Sequence, residues 1–332
     1  MPLTALSVIT TSSYTSSPGS TSRLYAASCR ANSVTAAGGV VRDSLKAALK
    51  AIPLSDDRKY GLARRLRIDR TIAVSVGRYT EPAFLILGAQ KSGTTSLYRY
   101  LTAHPSVKPA LRKEIHYFDL NFERGRNWYL THFPSRVPPG SITGEATPYY
   151  LFHPAVPRRV ADMLSDARLV AVLRNPVDRA YSHYAHSVKH GLETSSFEDA
   201  LARELKLIGD GARLAEDVGD DYSHQHHTYM SRGLYAQQLD RWYSLYRPEQ
   251  ILVLKSEDLS NHPAAVVQRT VEFLGLSSSE VADLNYPRLH QGTYGSAMSP
   301  KTREMLQEFF RPHNQDLAAT LDFDISDWAQ SR

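Results

Sequence analysis

Lys91, Ser92, Gly93, Thr94, Thr95 and Ser96 follow directly behind the apolar run Phe84–Leu87, and their types and order make an anion site. The apolar run suits a short buried parallel strand. A loop over Gly88–Gly93 turns the chain, and the hydroxyl residues open a helical stretch expected over Thr95–Thr102. Unpaired backbone N–H groups at such a helix start point at a ligand, and the helix dipole favours negative charge. The loop has the G-x-x-x-x-G spacing of an NTPase phosphate loop. However, Thr94-Thr95 stands where that motif demands lysine followed by serine or threonine, and the lysine lies inside the loop as Lys91. The pattern reads as a phosphate loop that does not hold a nucleoside triphosphate with magnesium, and no metal is expected.

Two further sets of residues offer chemistry. Arg174 ends the run Leu169–Leu173, so it emerges at a strand's carboxyl end, where open α/β sheets bind ligands. Asn175-Pro176 then starts a helix with Ser182 on its second turn. A guanidinium fork holds a phosphate bidentately and a serine hydroxyl adds a donor; by itself, though, Arg174 is equally suited to pair with Asp178 or Asp199. The segment Lys113-Glu-Ile-His-Tyr-Phe-Asp119 carries Glu114, His116 and Asp119 close together. If extended, it turns Glu114 and His116 to one face. An attacking hydroxyl or amine needs a carboxylate or neutral imidazole within hydrogen-bond reach. The plainer alternative is a surface carboxylate beside a core histidine. Residues 209–228 are acidic and His-rich without periodicity, which predicts a long exposed loop; His224-Gln-His-His227 reads as part of it and not as a metal site. No G-x-S-x-G elbow is present, so a serine hydrolase reading fails.

Ala89-Gln-Lys-Ser-Gly-Thr-Thr-Ser-Leu97 resembles the 5′-phosphosulfate loop of sulfotransferases that use 3′-phosphoadenosine-5′-phosphosulfate (PAPS). Arg174-Asn-Pro-Val-Asp-Arg-Ala-Tyr-Ser182 resembles the same family's 3′-phosphate motif, and Glu114–Asp119 resembles the segment with the catalytic base in its heparan sulfate branch. The three motifs stand in the family's order. The resemblance implies PAPS as co-substrate, with Arg174 and Ser182 on its 3′-phosphate and Lys91, Ser92, Gly93, Thr94, Thr95 and Ser96 around its 5′ end. It implies Glu114 as base, with His116 and Asp119 orienting base or substrate, and Lys91 on the leaving phosphate. Leu289-His-Gln-Gly-Thr-Tyr294 resembles the loop that closes over PAPS and brings in Gly292 and Tyr294, but its usual basic flanks are Gln291 and Thr293. In Gly144–Tyr149 the heparan enzymes carry a lysine next to the glutamate; here Ala146 stands there. The missing cation argues against a polyanionic glycosaminoglycan acceptor and leaves a carbohydrate or other hydroxylated small molecule. A phosphate-loop kinase and a catalytically silent adenosine-bisphosphate-binding protein are the competing readings.

The elements that must position these residues follow from alternation. Short β-rich runs at Phe84–Leu87, Ser141–Glu145, Leu169–Leu173 and Ile251–Leu254 alternate with helical stretches. Those stretches are Pro154–Leu164, Pro176–His190, Phe197–Leu207, Tyr235–Tyr246, Pro263–Leu274 and Pro300–Leu321. The pattern predicts a three-layer α/β fold with a central parallel sheet and a phosphate-binding strand–loop–helix. Residues 1–43 are rich in Ser, Thr, Ala and Gly and read as a disordered tail, or as a transit peptide. Residues 44–81 read as a basic helical extension and 82–332 as the sulfotransferase domain. Net charge is +5 over 332 residues, which suits an anionic ligand but is too mild to argue for nucleic acid. The single cysteine, Cys29, excludes an intrachain disulfide, so folding needs no oxidising compartment. No run of eighteen apolar residues occurs, so a soluble, cytoplasmic protein without a spanning helix is expected. The heparan enzymes, by contrast, are membrane-anchored in the Golgi.

Overall fold

The computed structural model describes residues 68–209, 222–281, 284–287 and 297–329. The expected tail, most of the basic extension, and Gly292 and Tyr294 of the closing loop lie outside the described residues.

A helix α1 (Ile68–Ser75) precedes strand β1 (Phe84–Gly88), helix α2 (Thr94–Ala103) and a short strand β2 (Val107–Pro109). Helix α3 (Gly125–Leu130), β3 (Ile142–Ala146), α4 (Val156–Met163), β4 (Arg168–Leu173), α5 (Pro176–Lys189) and α6 (Phe197–Gly209) follow. The chain continues through α7 (Tyr222–His226), α8 (Tyr235–Tyr243), β5 (Ile251–Lys255), α9 (Ser256–Asn261), α10 (Pro263–Phe273) and α11 (Pro300–Ala318). The five strands form one sheet in the order β2-β3-β1-β4-β5, and all four neighbouring pairs are parallel.

Strand alternation divides the core into two layers. Leu85, Leu87, Leu169, Ala171, Leu173, Ile251 and Val253 face one apolar cluster with Tyr129, Tyr150 and Trp242. Phe84, Ile86, Val170, Val172, Leu252 and Leu254 face the other with Leu97, Leu101 and Val267. Helices cover both faces, which is why these strands read as continuous apolar runs. The strands are packed too closely for side chains everywhere: a Cβ on Gly144 would sit 2.5 Å from the Phe84 ring, so β3 approaches β1 only with glycine there.

The order of strands sets where a ligand can sit. From β1 the chain crosses to the β2 edge, whereas from β4 it proceeds to β5 on the opposite side. The loops that follow β1 and β4 therefore diverge at adjacent strands, leaving a crevice at the topological switch point. Phe84–Gly88 and Arg168–Leu173 agree with the expected strands to within a residue. Strand β2 was not expected; its three residues and terminal proline are too short to show a period. Helix α11 passes through Pro312 without ending. Among the described residues, no helix is long and apolar enough to cross a membrane.

Candidate active site

The loop after β1 is built as its sequence demands. Gly93 is the N-cap of α2 with φ 94°, a left-handed conformation that glycine adopts without a steric penalty. Thr94 then begins the helix, whose first turn carries no acidic residue. The positive helix end is thus left for an outside anion. Ser92 is fully buried in the loop and its Oγ has no hydrogen-bond partner. An orphaned buried hydroxyl costs about 1–3 kcal/mol, which a phosphate or sulfate oxygen in the crevice would offset. Thr94 is buried, while Lys91, Thr95 and Ser96 are half-buried.

Arg174 stands at the end of β4, and its Nη1 donates to the Lys91 carbonyl at 3.1 Å. The guanidinium thus links the two loops across the switch point. The alternative ion pairs are otherwise engaged: Asp178 accepts from Arg303 Nη2 at 2.9 Å and Asp199 from Ser196 Oγ at 2.6 Å. Ser182 is buried on α5. Burial, then the positive charges of Arg174 and Lys189, draws the Lys91 ammonium below its ordinary pKa, while Glu114 pulls it up. Lys91 and Glu114 therefore lie within electrostatic reach, although 23 positions separate 91 from 114 in the sequence.

Glu114 and His116 are brought together, but not by an extended segment. Both have positive φ, 61° and 55°, so the segment is a left-handed turn. Glu114 Oε2 lies 3.9 Å from His116 Nε2, and His116 Nδ1 lies 2.7 Å from Asp119 Oδ2. Lys113 Nζ donates to Glu114 Oε1. Burial would raise the Glu114 pKa, but the imidazole of His116 close by and the charge and hydrogen bond of Lys113 hold it at about 2. Burial would likewise lower the His116 pKa, yet the hydrogen bond to Asp119 and the nearby Glu114 carboxylate raise it to about 9. The resting site is an ionised carboxylate against an imidazolium.

These shifts fix a stability profile. The raised His116 pKa contributes stability fully below its ordinary 6.5 and loses it as pH rises through about 9. The lowered Glu114 pKa contributes fully above 4.5 and loses it as pH falls through about 2. Both contributions are complete between pH 4.5 and 6.5. The melting temperature of the wild type is expected to decline from pH 6.5 toward 9, and His116→Gln should flatten that limb. A limb equally steep in the variant would assign it to other groups.

Sequence reasoning missed the residues that brace the loop. Arg232 is buried, donates to Gln90 Oε1 at 2.8 Å and to Thr228 Oγ1 at 2.9 Å, and lies 4.5 Å above the Tyr149 ring. The His-rich stretch is also corrected. Where an exposed loop was expected, Tyr222–His226 is helical and His224 is buried, its ring 2.5 Å from the Tyr149 hydroxyl and stacked on Phe152 at 4.4 Å. The aromatic partners, remote in sequence, supply the burial that five aperiodic residues could not announce. Deeper still, Glu145 of β3 is fully buried and accepts from Tyr129, Tyr150 and Thr147. Burial raises its pKa against those hydrogen bonds. Among the described residues, no cluster of His, Cys, Asp or Glu is arranged to hold a metal.

Comparison with known proteins agrees with this geometry. Residues 81–316 match the sulfotransferase domain model. The chain is 34% identical over 265 residues to heparan sulfate glucosamine 3-O-sulfotransferase 6 of Homo sapiens, covering 74% of this chain and 73% of that protein. It is 32% identical over 273 residues to bifunctional heparan sulfate N-deacetylase/N-sulfotransferase 2 of Bos taurus, covering 72% of this chain but only 29% of that protein. The crystal structure of a sulfotransferase from Alicyclobacillus acidocaldarius superposes with a TM-score of 0.62 at 32% identity, over 76% of this chain and all of that one. With a glycine-capped loop and an arginine meeting at the switch point of a parallel sheet, and with the domain model matching most of its length, the chain belongs to the sulfotransferase family and is a PAPS-dependent enzyme.

Proposed function

We propose that the chain transfers a sulfuryl group from PAPS to a hydroxyl or amine of a carbohydrate or other small-molecule acceptor, with Glu114 as general base and Lys91 acting on the leaving phosphate. One observation carries this reading. Among the described residues, Lys91, Glu114 and His116 are the non-glycine residues with positive φ. Such conformations cost about 1–3 kcal/mol each and cluster where a function requires them. Here they fall on the proposed leaving-group cation, the proposed base and its imidazole partner.

Sulfuryl transfer, like phosphoryl transfer, moves a group in line between two oxygens, and its catalysis rests on positioning and charge. Lys91 and the α2 amides supply positive charge where the leaving phosphate develops its negative charge. On the other side, Glu114 takes the proton of the attacking group. Its resting pKa of about 2 makes it a weak base, so the acceptor must take over the hydrogen bond from Lys113 and displace the carboxylate from the His116 charge as it binds. That exchange raises the carboxylate's basicity where it is used.

Arg174 and Ser182 hold the 3′-phosphate, and Gly292 and Tyr294 are further donor-binding residues in this reading. Arg174→Ala should therefore weaken 3′,5′-adenosine bisphosphate by about 10–100-fold, the range for a charge-assisted contact, while adenosine 5′-phosphate changes little. Calorimetry of both ligands decides; equal losses would make Arg174 a structural link between loops. The position next to Glu145 is Ala146, fully buried, which favours an acceptor without dense negative charge. The reading as a whole is tested with 35S-labelled PAPS and a panel of neutral and anionic saccharides, phenols and amines. Tight bisphosphate binding with no labelled product from any acceptor would overturn the proposal in favour of a silent nucleotide-binding protein.

A further inference from the structure

Resting on the role proposed for Glu114 and His116, we infer that Glu145 and Tyr150 are positioning residues: their buried hydrogen bond holds the turn that carries the base. Three backbone amides of the turn are held from β3 and the segment that follows it. The Glu114 amide donates to the Ala146 carbonyl at 3.0 Å, so β3 seizes the turn at its start. The Tyr117 and Phe118 amides both donate to the Tyr150 hydroxyl, at 2.9 and 3.4 Å. That hydroxyl in turn donates to Glu145 Oε1 at 3.1 Å. Two lone pairs accept and one proton is given, so the phenol is fully used.

Three carbonyls of the turn are held from the other side. Arg112 Nη2 donates to the Ile115 carbonyl at 3.0 Å, Asn121 Nδ2 to that of His116 at 2.7 Å, and Arg159 Nη1 to that of Phe118 at 2.7 Å. Left-handed backbone is unfavourable for side chains with a Cβ, and it persists only where its surroundings over-determine it. Here these six contacts do so from both sides.

Stability alone does not explain the inner pair. Glu145 and Tyr150 are wholly shielded from solvent, and replacing a satisfied buried polar pair by apolar side chains of similar shape is often neutral. A buried network of this kind instead fixes one geometry. Tyr129 completes it: its hydroxyl donates to Glu145 Oε1 at 2.8 Å while its ring stacks on Tyr117 at 4.5 Å. Neither Glu145 nor Tyr150 reaches the crevice. Their effect on chemistry passes through the turn.

The consequence is read at His116, whose pKa reports whether the turn keeps it against its partners. The groups facing it are Asp119, Glu114 with its neighbour Lys113, and His226 of α7. Proton NMR titration of the His116 ring should give a value of about 9 in the wild type. In Tyr150→Phe and Glu145→Leu it should fall by about one unit, the loss expected when one carboxylate partner leaves reach. Glu145→Gln should restore the wild-type value, because a carboxamide oxygen still accepts from Tyr129 and Tyr150 and its NH2 can donate to Thr147. Binding of 3′,5′-adenosine bisphosphate should be unchanged within about twofold in all three, since β1 and β4 carry that site. A lowered melting point with an unmoved titration would make the pair merely structural and overturn the inference. Should Tyr150→Phe fail to fold, amide exchange in the wild type decides, with fast exchange at Tyr117 and Phe118 overturning it. A wild type that binds no bisphosphate would instead strike at the proposed function, so the two failures are distinct.

Discussion

Lys91→Ala is expected to lower turnover by about 10²–10³-fold, equivalent to about 3–4 kcal/mol of transition-state stabilisation lost with one donor aimed at developing charge. The fold should tolerate it. Lys91 is half-buried, and its one backbone tie, the carbonyl that accepts from Arg174, survives the substitution. A second substitution separates strain from chemistry. Lys91 has φ 71°, which alanine must also adopt but glycine enters freely. Lys91→Gly should therefore melt no lower than Lys91→Ala, gaining about 1 kcal/mol of relieved strain against its looser unfolded chain, and be just as inactive. Turnover and melting measured on the same preparations test both statements. Activity near the wild type in either variant would remove Lys91 from the mechanism.

Glu114→Gln should cut kcat/KM by about 10²–10⁴-fold while leaving bisphosphate affinity intact, because shape is kept and the proton acceptor lost. The pH profile adds a sign that distinguishes the two candidate bases. With Glu114 ionised above about pH 2 and His116 protonated below about 9, kcat/KM should be level through neutrality and fall above pH 9. If neutral His116 were the base, the same profile would climb toward a plateau above 9. An active Glu114→Gln together with a rising profile would transfer the role to His116.

What the sequence disclosed follows the reach of each signal. Phe84–Gly88, Arg168–Leu173 and Ile251–Lys255 are nearly continuous apolar runs because both faces of the sheet are covered, and so the parallel sheet and its loops were readable. Lys91 and Arg174 could be proposed as site residues because each lies within a few residues of the end of such a strand. The turn at Glu114 and His116 could not be foreseen, since its left-handed backbone is imposed by Ala146, Tyr150 and Arg159 from elsewhere in the chain. Arg232 escaped for a related reason: it is 142 residues from Gln90, and no periodicity marks a buried guanidinium. His224 was misjudged because the rings that bury it, Tyr149 and Phe152, belong to another segment.

The strand order has a consequence for how such an enzyme diversifies. In the proposed roles the donor-binding residues follow β1 and β4, whereas Glu114 lies on the connection from β2 to β3, toward the opposite edge. Substitutions in that connection would then bear on the acceptor side first, while the loops after β1 and β4 keep the donor. If those roles hold, donor recognition and acceptor choice are set by different connections of one sheet, so a change in what is sulfated does not require a change of sulfate source.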